Sequence, residues 1–243
     1  MVQGVKVRLS PLQIYHVLLS AYGPQHWWPA DTPFEVMVGA ILTQNTSWTN
    51  VEKAITNLKF ENLMDARHIL DCAPDHLAEV IRPTGFYRQK ATRLNALCMF
   101  YLEHGCEQQL RRWPATSLRQ RMLKVHGIGP ETADSILLYA LNKPVFVIDA
   151  YTARIFSRLG MLERQSAYAD TQAFFHARLP RSIPIFQEFH ALIVAHAKRF
   201  CRSRPLCPGC PLAASCAYAS AGNQEHDMAH EAQPRAQAEN TTA

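Results

Sequence analysis

Asp149 stands out for where the sequence puts it. It closes the apolar run Val145-Phe146-Val147-Ile148, twenty residues past Gly129. Burial beside such a run withdraws a carboxylate from water and raises its pKa. A helix starting at the next residue would favour its anion, and Asp is also a preferred N-cap. An acid so placed can activate water or stabilise an oxocarbenium-like charge on a sugar. Upstream, His126-Gly127-Ile128-Gly129-Pro130 joins two helical patterns. Glycine at 127 and 129 permits positive φ and close approach of backbone. Successive N–H groups there, with the N-terminus of the next helix, can hold a phosphate, while Ile128 plugs the gap between the helices. A lone GxG also suits an ordinary helix–helix turn.

Four of the seven cysteines, Cys201, Cys207, Cys210 and Cys216, crowd into sixteen residues. The spacing reads as a metal site, either zinc or an iron–sulfur cluster; zinc sites more often show two Cys-x-x-Cys hooks, and only one is present. Cys72, Cys98 and Cys106 read as small buried hydrophobes. Lys198, Arg199, Arg202 and Arg204 beside the cluster could face phosphates or form a solvated surface. The aromatic loop Trp27-Trp28-Pro29, with Trp48, could stack on a ring of a ligand or anchor the core. His190 and His196 suit core or supporting positions rather than ligation.

These groups need helices to place them. Hydrophobic spacing predicts helices over 9–22, 33–44, 48–59, 61–71, 74–82, 88–101, 117–125, 132–141, 150–159, 168–179 and 184–200. Ser10 and Pro11 suit the start of the first. Val145–Ile148 is too short and isolated for a sheet, so the expected class is all-α. From about residue 219 the composition loses its apolar period, and an unstructured acidic tail is expected over 219–243.

The chain has 243 residues, is 48% hydrophobic and carries a net charge of +5. Glu225, Asp227, Glu231 and Glu239 against Arg235 give the tail a net −3, which leaves the body at +8. A basic body suits a polyanion such as nucleic acid, or is simply soluble. No run reaches the ~18 apolar residues of a membrane span. The first residues lack an apolar signal core, so a cytoplasmic location, or association with a bacterial nucleoid, is expected.

HGIGPETA, VIDAYTARI, FEVMVGAILTQNTSW, IRPTGFYRQKATRL and the clustered cysteines together resemble the helix-hairpin-helix DNA glycosylase superfamily. Within it the chain is most similar to endonuclease III and its relatives. The resemblance implies a two-lobed all-α fold: a central lobe over 30–136 and a second lobe from 1–29 plus 137–218. It implies that Asp149 is the essential aspartate and that Gln44 fills the gap left by a flipped base. It also favours a [4Fe–4S] cluster on the four cysteines, and double-stranded DNA with a damaged base as the partner of a monomeric enzyme. Bifunctional members carry a lysine where this chain has Glu131. A carboxylate forms no Schiff base, so hydrolysis without strand nicking is expected. WWPA, TQNTSW and GIGPETADSI are similar to the 3-methyladenine glycosylase branch, which points to alkylated purines. The alternatives are an endonuclease III-like glycosylase and lyase acting on oxidised pyrimidines, and a non-catalytic DNA-binding protein.

Overall fold

The computed structural model describes residues 9–221. Among them there is no strand, and thirteen α-helices follow one another. They are α1 Pro11–Tyr22, α2 Pro33–Leu42, α3 Trp48–Phe60, α4 Ala66–Asp71, α5 Pro74–Val80, α6 Tyr87–Glu103, α7 Cys106–Arg112, α8 Ala115–Met122, α9 Pro130–Ser135, α10 Ala150–Arg158, α11 Tyr168–His176, α12 Ile183–Arg199 and α13 Ala217–Ser220. None is long and apolar enough to cross a membrane.

The helix starts follow local chemistry. Ser10 and Gln13 form a reciprocal capping box at α1, with Pro11 in the first turn; such a cap contributes about 1 kcal/mol. α2 is buried along nearly its whole length, from Phe34 to Leu42, as expected of a helix apolar on most faces. It packs on α3, α6 and α9. α6 in turn carries α4, α5 and α7, whereas α12 packs against α1 and α10. These two sets of helices make the two lobes.

A π-turn, Ile136–Ala140, continues α9 and packs against both α2 and α12. It joins the two sets. A π-turn is one widened turn within a helix; it resets the phase of the side chains that follow.

The segment from Val145 to Ile148 is extended but pairs with no strand. Its backbone bonds to side chains instead: Phe146 N–H donates to His176 Nε2 (3.0 Å), Ile148 N–H to Tyr168 Oη (3.4 Å), and Gln172 Nε2 donates to Phe146 O (2.7 Å). α11 therefore supplies part of what a neighbouring strand would.

Three expectations need correction. Residues 61–65 are not helical: Glu61 caps α3 and Asn62 turns the chain at φ 56°. α7 was not anticipated, because only Leu110 of CEQQLRR is buried and no apolar stripe marks it. The helix Ala217–Ser220 runs into the segment expected to be unstructured; residues 222–243 of that tail lie outside the described residues.

Candidate active site

Asp149 is the N-cap of α10. Its Oδ1 accepts from Thr152 N–H and Thr152 Oγ1–H, both at 2.7 Å. Its Oδ2 faces His190 Nε2 at 3.6 Å, and both side chains are about a tenth exposed. Burial alone would push the carboxyl up, as expected from the sequence. The His190 imidazole and the Thr152 donors outweigh that burial, so the group sits below the ordinary aspartate range. The expected upward shift is thus reversed, because capping and the histidine act together on one side chain.

His190 is itself held. Its Nδ1 lies 2.8 Å from Tyr139 Oη, and that hydroxyl donates to Gln187 O at 3.1 Å. Tyr139 belongs to the π-turn, so the turn delivers its hydroxyl to α12. Sequence periodicity placed His190 on the helix but gave no sign of its neighbour Asp149.

The tryptophans form one aromatic cluster. Trp27 and Trp48 meet edge-on at 4.4 Å, Trp28 and Trp48 at 5.5 Å, and Trp28 reaches Tyr139 at 5.4 Å. All three are partly exposed. Gly39 of α2 leaves the room: a Cβ there would stand 3.2 Å from the Trp28 ring. Trp28 Nε1 is buried without a hydrogen-bond partner. The aromatic loop, Tyr139, His190 and Asp149 are thus successive neighbours.

The hairpin lies between α8 and α9. Gly127 has φ 79°, and a Cβ on it would run into the Arg93 side chain, so glycine is required twice over. Ile128 is buried, and its N–H bonds Val125 O. Gly129 is the extended N-cap of α9. Gln44 is fastened here: its amide donates to Gly127 O and Thr132 Oγ1 at 3.0 Å each, while Arg93 donates to its Oε1. α2 and the hairpin are therefore joined through Gln44.

Glu131, in the first turn of α9, is open to water yet crowded by protein. That crowding and the Asp149 charge push it up to about 7, with His190 opposing. Lys143, a candidate for a displaced reactive amine, donates to Arg111 O at 2.9 Å; Lys124 is exposed.

A second carboxylate is handled differently. Asp134 is fully buried and takes two bonds from Arg119, at 2.6 and 3.0 Å. Tyr168 Oη and Gln172 Nε2 donate to it at 2.7 and 2.8 Å. The hairpin motif contained this residue, but its sequence gave no sign of those partners.

The cysteine expectation is overturned. Cys201, Cys207, Cys210 and Cys216 line one largely apolar cavity with Phe200, Leu206 and Leu212. Yet among the described residues no group of three or more His, Cys, Asp or Glu side chains is placed to hold a metal ion. The [4Fe–4S] cluster and the ligand roles of these cysteines are therefore not supported. Burial raises the Cys207 and Cys210 thiols, and the neighbouring cysteines add to the shift. Arginines hold the loop. Arg154 Nε donates to Cys201 O at 2.9 Å, and Arg158 donates to Arg202 O and Ser203 O at 2.6 and 2.8 Å. Lys198, Arg199, Arg202 and Arg204 are exposed on its flank, with Arg199 over the Tyr22 ring at 4.6 Å.

A hairpin between short helices, a capped carboxylate beside it and two helical lobes meeting at a π-turn define a glycosylase-type frame. The chain belongs to the HhH-GPD superfamily of base excision DNA repair proteins, whose family model matches residues 38–181. It is 49% identical over 207 residues to a Methanocaldococcus jannaschii protein with the provisional name DNA repair glycosylase, covering 84% of this chain and 94% of that one. Endonuclease III of Thermotoga maritima is 29% identical over 188 residues, covering 76% and 83%. The crystal structure of the H. pylori 3-methyladenine DNA glycosylase bound to 1,N6-ethenoadenine matches with a TM-score of 0.70 at 31% identity, over 79% of this chain and 98% of that one. A non-covalent endonuclease III–DNA complex shares the fold at a TM-score of 0.76 and 21% identity, covering 89% and 100%. Membership makes the chain a DNA glycosylase of base excision repair, acting on a damaged base flipped out of the stack.

Proposed function

We propose that this glycosylase hydrolyses the N-glycosidic bond of a damaged base in double-stranded DNA, with Asp149 as the catalytic carboxylate. The observation that carries the reading is the state of that group. One oxygen is fixed by two donors and the other has no hydrogen bond, while the carboxyl is held below its ordinary range. An anion with one free oxygen can stabilise positive charge developing at C1′ of the sugar and can orient a water.

Glu131 supports simple base removal: where bifunctional enzymes place a lysine, this chain presents a carboxyl, which forms no imine. Two lobes, 30–136 and 1–29 plus 137–218, would close on the duplex. Gly127, Ile128 and Gly129 would approach a phosphate, Gln44 would fill the vacated stack, and Lys198, Arg199, Arg202 and Arg204 would add charge. The chain would act as a monomer. The DNA-bound endonuclease III complex of like fold supports duplex DNA as the partner.

Two readings of the lesion stand. The cluster of Trp27, Trp28 and Trp48, with the likeness to a 3-methyladenine glycosylase bound to an etheno base, favours an alkylated purine. Kinship as a whole leans towards endonuclease III, the name of both the Thermotoga maritima relative and the DNA complex. That kinship favours an oxidised pyrimidine and is the better supported of the two, although its lyase step lacks the hairpin lysine.

Duplexes carrying 3-methyladenine analogues, thymine glycol, uracil mismatches and adenine opposite 8-oxoguanine separate these readings. The expected product is an intact abasic strand, cut only by later alkali, with no adduct trapped by borohydride. Efficient trapping would overturn hydrolysis. Tight duplex binding with no base released from any lesion would leave only the non-catalytic DNA-binding reading.

A further inference from the structure

His190 Nε2 is a buried nitrogen with no hydrogen-bond partner, and the group it faces is Asp149 Oδ2, 3.6 Å away. An orphaned polar atom in the interior is unfavourable, so its persistence beside this carboxylate calls for a reason. The rest of the ring is held firmly. Nδ1 sits 2.8 Å from Tyr139 Oη, whose other neighbour is Gln187 O. Gln187 Nε2 also donates to Leu138 O at 3.1 Å. α12 thus clasps the π-turn at two successive residues, and His190 stands where that clasp meets Asp149.

The proton positions follow. If Tyr139 donates to Gln187 O, Nδ1 must donate to Tyr139, and Nε2 faces the carboxylate favourably only as a second N–H of the imidazolium. If Tyr139 donates to Nδ1, the neutral ring carries its hydrogen on Nε2. In the imidazolium and in the neutral Nε2–H tautomer alike, Nε2–H points at Asp149 Oδ2. A separation of 3.6 Å is long for a hydrogen bond, but catalytic hydrogen bonds are often long before substrate binds and tighten afterwards.

We propose that His190 is a positioning residue for Asp149: with Tyr139 and Gln187 fixing its ring, it directs Nε2–H at Oδ2 while Thr152 fixes Oδ1, setting the plane in which the carboxylate meets the sugar. The inference deepens the assignment of Asp149 and rests on it. The arrangement also links the carboxylate to the aromatic wall, since Tyr139 packs on Trp28 at 5.4 Å. The charge of Asp149 also acts on Glu131 and Tyr139, and Tyr139 feels Glu188 as well.

The test uses the full chain with two graded variants. His190→Asn places an amide where Nδ1 stands, keeping a partner for Tyr139 and losing Nε2. His190→Gln reaches the position of Nε2 and keeps a donor for Asp149. Single-turnover base release is measured on the panel duplex with the fastest wild-type rate. Binding is measured on a duplex with a tetrahydrofuran abasic-site analogue. His190→Asn should slow base release on the order of 10²-fold, the scale of a misplaced catalytic group, with binding unchanged within about threefold. His190→Gln should recover most of that loss.

The acid limb of the pH profile is a second readout. Asp149 works as the anion, so activity is lost as pH falls through its pKa. Removing His190 leaves burial less opposed, and the limb of His190→Asn should move to higher pH, with His190→Gln between it and wild type. Two results would overturn the proposal: both variants matching wild type, or both losing rate and melting temperature in proportion with an unmoved acid limb. Asp149→Asn, run alongside, keeps the failures apart. If it turns over like wild type, the assignment of Asp149 fails; if it is inactive while both His190 variants are normal, only the role of His190 fails.

Discussion

Asp134 and Asp149 are two enclosed carboxylates on one stretch of chain, and they are treated in opposite ways. Asp134 receives four hydrogen bonds: two from Arg119, one from Tyr168 and one from Gln172. Both of its oxygens are hydrogen-bonded and its charge is matched by a bidentate guanidinium. Asp149 receives two bonds at one oxygen and none at the other. A saturated carboxylate has nothing left to offer a substrate, whereas an anion with an open oxygen does. The two are also coupled. Tyr168 and Gln172, which saturate Asp134, also bond Ile148 N–H and Phe146 O. The finished carboxylate therefore aligns the strand-like segment that carries the unfinished one.

The sharpest way to break the comparison is to remove charge at each. Asp149→Asn should lower single-turnover base release by about 10²–10⁴-fold, the range of a lost acid–base group, while duplex binding and melting temperature stay near wild type. Asp134→Ala should do the reverse. It strands Arg119 without its partner, and breaking such a pair costs about 3–5 kcal/mol. Urea unfolding should show that loss, while base release by the folded fraction should fall much less than in Asp149→Asn. Equal stability losses in the two variants would erase the distinction between a structural and a reactive carboxylate.

How much of this was legible depends on which residues carried it. Ser10, Pro11 and the stripe of α1 announced a helix because caps and apolar spacing are local properties. Asp149 was legible too, since an apolar run ending in an N-cap residue leaves few roles open. Its pKa direction was not, because the deciding group is His190, on α12. The partners of Asp134 were equally hidden, coming from α8 and α11. The π-turn left no trace, because a slipped hydrogen bond within ILLYA leaves the same apolar string. The cysteines mislead in the opposite sense. Their spacing suggests ligands, but the arrangement of their side chains does not make a metal site among the described residues, and Arg154 and Arg158 hold the loop instead.

A subtler probe lies on the occupied oxygen of Asp149. Thr152→Val removes the 2.7 Å hydroxyl donor and keeps the backbone N–H that caps α10. Asp149 then loses one of the groups that hold it down. Its pKa should rise, and the acid limb of base release should move to higher pH. Helix α10 should persist, because its cap bond remains. An unmoved limb would mean that the backbone donor and His190 suffice.

Glu131 gives the smallest expected effect and the finest distinction, because it is neither saturated like Asp134 nor anchored like Asp149. Burial and the Asp149 charge raise it from 4.5 to about 7. A raised carboxyl pKa means the folded protein holds that proton longer than the unfolded chain does. The associated stability is present below about 4.5, falls as pH rises, and is gone above about 7. Glu131→Gln keeps a neutral side chain of similar shape at every pH and should lack this slope. Urea unfolding at about pH 5 and about pH 8 should therefore show wild type losing more stability across the interval than the variant. The difference should be modest, since the group is open to solvent. Identical slopes would make Glu131 an ordinary surface acid, better solvated than its surroundings indicate.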